Sequence, residues 1–123
     1  MLRLIAAILW PTINDVQTGA TPEYPDIQAQ HFAQPADKVF SAALATARDM
    51  ELEVTNQSSD KGEIRAVATT RVFRFKDDVT ISVARKDNFT LVDVRSRSRI
   101  GKGDLGANAR RIRDFQARLA GKL

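Results

Sequence analysis

The sequence predicts an α+β domain: a two-layer sandwich in which an antiparallel sheet of about five strands carries two helices on one face, in the order β-α-β-β-β-β-α. Three observations predict it. Between residues 51 and 100, apolar side chains recur at every second position in four runs separated by short polar clusters. Strands joined by such short turns pair antiparallel, because a parallel pair needs a long crossover. Two further stretches, 36–49 and the one starting at Leu105, repeat apolar residues at intervals of three and four, the spacing of a helix with one buried stripe. At 123 residues the chain suits a single core, so both helices are expected against the same sheet.

Residues 1–25 read as an apolar N-terminal segment followed by an extended arm, with the domain itself spanning 26–123. Met1–Trp10 is MLRLIAAILW, with Arg3 as its one charge. It is too short to span a bilayer as a helix, which takes about 20 apolar residues. As a signal peptide it has a one-charge start and a short apolar region, with small residues at Thr18-Gly19-Ala20. It fits the stub of a longer anchor, an interfacial anchor carrying Trp10, or a segment packed on the domain; the membrane-proximal role is the reading taken. Pro11, Pro22 and Pro25 with Gly19 mark the arm.

Ile27–Phe32 is a short strand. Pro35 suits the first turn of a helix over 36–49, where Asp37 meets the positive end of the macrodipole and Val39, Phe40, Ala43, Leu44 and Ala47 form the apolar face. Glu51–Thr55 alternates, and Asn56–Gly62 is a turn cluster. Ile64, Ala66, Ala68 and Thr70 share one face of the next strand. Phe73 and Phe75 fall out of phase with them, which predicts a bulge or bend near Thr70–Val72, core positions for both rings, and a turn at Asp77-Asp78. Val79, Ile81 and Val83 face inward from the following strand, and Lys86-Asp87-Asn88 turns the chain. In the last strand Val92, Val94, Ser96, Ser98 and Ile100 share one face; Asp93, Arg95, Arg97 and Arg99 share the other. Leu105, Ala109, Ile112, Phe115 and Leu119 then form a helical stripe, with Asp104 as its N-cap and Gly121 as its stop. The order is helix-grip-like, with the sheet curved around the C-terminal helix.

The chain has no Cys and one His, so it lacks the residues for disulfides, thiol catalysis and multi-His or Cys metal sites. Its net charge of +4 is uneven. Residues 95–123 hold nine basic and two acidic side chains, whereas 1–50 and 51–94 are each slightly acidic. Such an asymmetry marks an anionic partner or a solvated basic face. Arg95, Arg97 and Arg99 form a guanidinium row that would grip phosphate or carboxylate, unless Asp77, Asp78, Asp93 or Glu63 pairs with it across the sheet. Gly101-Lys102-Gly103-Asp104-Leu105-Gly106 is literally G-x-G-x-x-G, but a dinucleotide site needs a following βα unit and only 17 residues remain. The glycines serve a tight turn; anion binding by Lys102 and Arg99 at the helix start is the alternative. Arg71, Phe73, Arg74 and Phe75 interleave charge and rings as sheet-based RNA readers do, without that fold's element order. Catalysis would require His31, Asp77 and Asp78 to converge.

Val92–Phe115 and Thr69–Val79, with Asn14-Asp15-Val16 and Tyr24-Pro25-Asp26, resemble the domain of unknown function 1499 family. The run Ser98-Arg99-x-Gly101…Asp104-Leu105-Gly106-x-Asn108-x-x-Arg111-Ile112 carries most of that resemblance, which spans roughly residues 13–119. It implies a bacterial, envelope-facing domain, with membrane-associated and plastid relatives, and it transfers no catalytic residue. The apolar start is shorter than a full membrane span. The resulting expectation is a basic, non-catalytic accessory or binding module near a membrane surface, contacted through residues 1–10. Its partner-binding residues are Arg95, Arg97, Arg99, Lys102 and Asn108, its partner is an unidentified protein or an anionic group, and it uses no cofactor and no metal. The alternatives are a binder of an anionic ligand or nucleic acid through the arginine row, and a small hydrolase or isomerase.

Overall fold

The computed structural model describes residues 13–71, 73–100, 104 and 106–123. Six strands and two helices follow one another as β1 (Asp15–Gln17), β2 (Gln30–Phe32), α1 (Ala36–Asp49), β3 (Glu53–Ser58), β4 (Glu63–Thr69), β5 (Lys76–Arg85), β6 (Thr90–Ser98) and α2 (Ala107–Lys122). All strand pairs are antiparallel, in the order β1-β6-β5-β4-β3. β2 also pairs with β6, beyond the end of β1: β1 covers residues 95–97 and β2 covers 90–92 of the same edge. Between them Thr18 closes the gap. Its N–H donates to the Val94 carbonyl, the Val94 N–H donates to its hydroxyl, and the hydroxyl donates to Asp93. The α+β class, the single antiparallel sheet and the β-α-β-β-β-β-α order are as the sequence predicts. The extra strand, β1, lies in the stretch read as an arm, and it contributes Val16 to the core, as the same stretch contributes Tyr24.

Period-two alternation decides the layers. Ile64, Ala66 and Ala68 of β4, Val79, Ile81 and Val83 of β5, and Val92 and Val94 of β6 are buried on one face. Against them pack Val39, Phe40, Ala43 and Ala47 of α1 and Ala109, Ile112, Phe115 and Leu119 of α2. The stripe of α2 is fully inside: Ile112 and Leu119 are 0% exposed and Phe115 is 1%. Removing these side chains from water is the main force holding α2 on the sheet.

Four local expectations are corrected. β3 runs to Ser58 instead of ending at Thr55, with a register shift between Val54 and Asn56. β4 ends at Thr69, paired with Lys76, so residues 70–75 are the hairpin connection and the strand does not continue to Phe75. Phe73 and Phe75 are therefore exposed, not core (72% and 45%), and Asp77-Asp78 lie inside β5 instead of in a turn. The physical reason is that a phase change in an apolar pattern marks a departure from the ladder equally well as a bulge within it.

Candidate functional site

The guanidinium row is present on the solvent face of β6, but most of it is already occupied. Arg95 donates through Nε and Nη2 to the two carboxylate oxygens of Asp15, at 2.9 and 2.6 Å. Arg99 makes the same fork onto Asp78, at 2.8–3.1 Å. These hydrogen bonds hold both carboxyls below their usual range, against a smaller opposing effect of burial. Arg97 stands between the pairs, forms no salt bridge among the described residues, and adds to the lowering of both. An external phosphate would have to displace a tethered carboxylate from two of the three arginines. Lys102 lies outside the described residues.

The side chains that do converge sit under the sheet, where β6 passes into α2. Asn108 is 0% exposed. Its amide oxygen accepts from Ser96 Oγ (2.7 Å) and Arg111 Nη1 (2.9 Å). Its amide nitrogen donates to Ser98 Oγ (2.9 Å), the Asn14 carbonyl (3.2 Å) and Asp104. Gly106, at φ 84°, precedes the helix, and Asp104 caps it from two residues further back by accepting from the N–H groups of Gly106 and Asn108. Arg111 continues inward to Asp77, which is 2% exposed. The Asp77 Oδ2 atom lies 2.9 Å from Arg111 Nη1, yet no donor is aligned with it, because the Nη1 protons go to Ser96 and Asn108. The contact is thus a buried charge pair and not a hydrogen bond. Asn108, Ser96 and Ser98 exchange hydrogen bonds with one another and with the chain, so this cluster ties α2 and the Asn14 segment to β6.

A cleft of about 900 Å³ opens beside this cluster, between the α1–β3 junction, the end of β4 and the outer side of α2. Arg71, Arg74, Arg110, Arg111 and Arg118 line it. So do four acids: Asp114 pairs with Arg118 and Asp49 with Lys122, whereas Glu51 and Glu53 form no salt bridge among the described residues. Arg71 and Arg74, from the β4–β5 connection, form no salt bridge among the described residues.

The same connection forms an apolar and basic tip. Residues 70–76 read Thr-Arg-Val-Phe-Arg-Phe-Lys, three cations without an acid. The turn is closed by the Thr70 N–H donating to the Phe75 carbonyl and by the Phe75 N–H donating to Thr70 Oγ1, both at 2.8 Å. Arg74 takes the left-handed conformation, φ 58°. The Phe73 and Phe75 rings stack at 5.5 Å and 18°. Ile100, just past β6, is 66% exposed at the same end of the sheet, because the Arg99 N–H donates to the Lys76 carbonyl.

The remaining sequence candidates do not meet. His31 is exposed and packs on Phe89, 4.8 Å between ring centres. It pairs with Leu91, whereas Asp77 pairs with Ser98, seven residues further along β6. At about 3.3 Å per residue that is ~23 Å, so His31, Asp77 and Asp78 form no catalytic group. The sequence offered Asp77 as a partner of the β6 arginines or a catalytic acid and did not foresee its burial against Arg111, and it marked the basic–aromatic run of residues 71–75 while assigning its rings to the core. Asp77 shares odd parity with Val79, Ile81 and Val83, and that parity was the available signal.

Among the described residues, no helix is long and apolar enough to cross a membrane, and no group of three or more His, Cys, Asp or Glu is placed to hold a metal ion. Compared with known proteins, residues 8–119 match the family described as "Protein of unknown function (DUF1499)". A search of curated proteins finds no match. Among solved structures the chain is similar to the crystal structure of TTHA0849 from Thermus thermophilus, with 11% identity over 88% of this chain and 95% of that one and a TM-score of 0.45.

Proposed function

The chain belongs to the DUF1499 family, and for this member we propose a small, non-catalytic binding module that works against a membrane surface. One observation carries the reading: Ile13 and Asn14, which follow the apolar stretch 1–10 in sequence, join the folded body at the end of the sheet where Phe73, Phe75 and Ile100 are exposed. The Ser98 N–H donates to the Asn14 carbonyl, and the Asp104 N–H donates to the Ile13 carbonyl. Exposed apolar side chains collected at one pole, with cations beside them, suit an interface between water and lipid. The test is membrane fractionation of tagged full-length protein and of a variant lacking residues 1–10. A deletion reaching Ala20 would remove β1 and Val16 and confuse unfolding with release. The full chain is expected with membranes and the shortened chain in larger part free of them. Full-length protein found wholly free of membranes would sink the proposal.

A second reading is favoured by Arg71 and Arg74, which line the cleft and form no salt bridge among the described residues: an anionic ligand held there, and not on the occupied β6 row. Inorganic phosphate should then raise the melting temperature of the wild-type chain but not of Arg71→Gln/Arg74→Gln, and added sodium chloride should abolish the difference.

A further inference from the structure

We infer that the β4–β5 connection is a docking loop for a bilayer containing anionic phospholipid. The inference deepens the membrane-surface reading and rests on it, but it assigns the contact to the folded body instead of to residues 1–10. Phe73, Phe75 and Ile100 are the exposed large hydrophobic side chains among the described residues. All three lie at one pole, because Thr69 pairs with Lys76, Arg99 bonds to Lys76, and Ser98 bonds to Asn14. From β4 to β1 that row is three strand spacings, or ~14 Å across.

The charge around the rings selects the kind of surface. Arg71, Arg74 and Lys76 belong to the loop and its first strand residue, and the acids that follow are already taken, Asp77 by Arg111 and Asp78 by Arg99. Two stacked rings flanked by guanidiniums that form no salt bridge among the described residues match the acyl boundary and the phosphates above it. The loop is held for this task by its closing hydrogen bonds, with Arg74 in the left-handed region between the two phenylalanines. Ile13 and Asn14, which follow the apolar 1–10 stretch in sequence, join the fold at the same pole, and this favours lipid over a protein groove as the occupant.

The test is co-sedimentation of the full chain with phosphatidylcholine vesicles and with vesicles containing a third phosphatidylglycerol. Wild-type protein should partition onto the phosphatidylglycerol vesicles more strongly than onto phosphatidylcholine alone, and salt should reduce the difference. Phe73→Ser/Phe75→Ser should lower partitioning about tenfold or more on both. Arg71→Gln/Arg74→Gln should lower it roughly 25-fold on the anionic vesicles and little on the neutral ones, the equivalent of ~1 kcal/mol per basic residue near an anionic surface. All variants alter exposed side chains, so their melting curves should match wild type. If the wild-type chain binds and the phenylalanine variant binds equally well, the docking loop is wrong, while the membrane reading survives on residues 1–10. If the wild-type chain binds neither vesicle, both fall. Equal binding to both compositions overturns the anionic selectivity. Loss of a dimer in the phenylalanine variant, without vesicle binding by wild type, would reassign the pole to a contact between copies.

Discussion

Replacing Asn108 by Ala tests whether the buried polar cluster is structural. The wild-type amide makes five hydrogen bonds from a fully buried position, to Ser96, Ser98, Arg111, Asp104 and the Asn14 carbonyl. A neutral hydrogen bond contributes about 0.5–1.5 kcal/mol net and a charged one about 1.5–3, and a buried partner left unmet costs about 1–3. Water entering the small cavity recovers part of this, so Asn108→Ala should cost ~3–5 kcal/mol. Against a total of about 5–15 kcal/mol for a domain of this kind, that is a large share. At roughly 4 °C per kcal/mol, the melting temperature should fall by ~12–20 °C. Thermal unfolding followed by circular dichroism, with urea titration as the check, reads it directly. Asn108→Asp separates shape from chemistry: it keeps the volume but brings a third carboxylate beside Asp104 and Asp77, with Arg111 to serve them. Like charges raise a carboxyl pKa in the folded state. A group raised on folding destabilises above that value and ceases to do so below it, so the Asn108→Asp deficit should shrink as pH falls from 7 toward about 4. An Asn108→Ala melting temperature within a few degrees of wild type would refute the reasoning, since the partners would then have to be satisfied without the amide.

Three further outcomes follow from the same structure. Phe115→Ala should cost ~3–5 kcal/mol, because the ring is 1% exposed in the α2 stripe, and a urea midpoint equal to wild type would place the ring outside the core. Gly62→Ala should unfold or severely weaken the chain: Gly62 has φ +67°, and an added Cβ would fall 2.0 Å from the Val83 carbonyl oxygen, so a normally folded variant with an unshifted melting curve would contradict the β3–β4 turn. Asp15 and Asp78 have carboxyls lowered from 3.8 by Arg95 and Arg99, so their contribution is fully present above that value and is lost as pH falls through the lower folded values; Asp15→Asn/Asp78→Asn should flatten the acid limb of the stability curve, and an unchanged limb would count against both pairs.

Local periodicity determined much of this protein. The helix over 36–49, the alternation that faces Val79, Ile81 and Val83 inward, the stripe of Ile112, Phe115 and Leu119, and the outward row of Arg95, Arg97 and Arg99 are all written at spacings of two or of three to four, and those spacings decide faces without reference to any distant residue. The basic character of the last quarter of the chain is equally plain from counting. Other features depend on which strand lies opposite which, and no local pattern encodes that. Asp77 is tolerated inside because Arg111, on another element, reaches it. Asn108 is saturated because Ser96, Ser98 and the Asn14 carbonyl are brought to it by the β1–β6–α2 packing. Phe73 and Phe75 face water because the ladder closes at Thr69 and Lys76, a register set by the whole sheet and not by the rings themselves. A burial pattern says which way a side chain points within an element; only the assembled sheet decides where that element stops and which charges can neutralise one another beneath it.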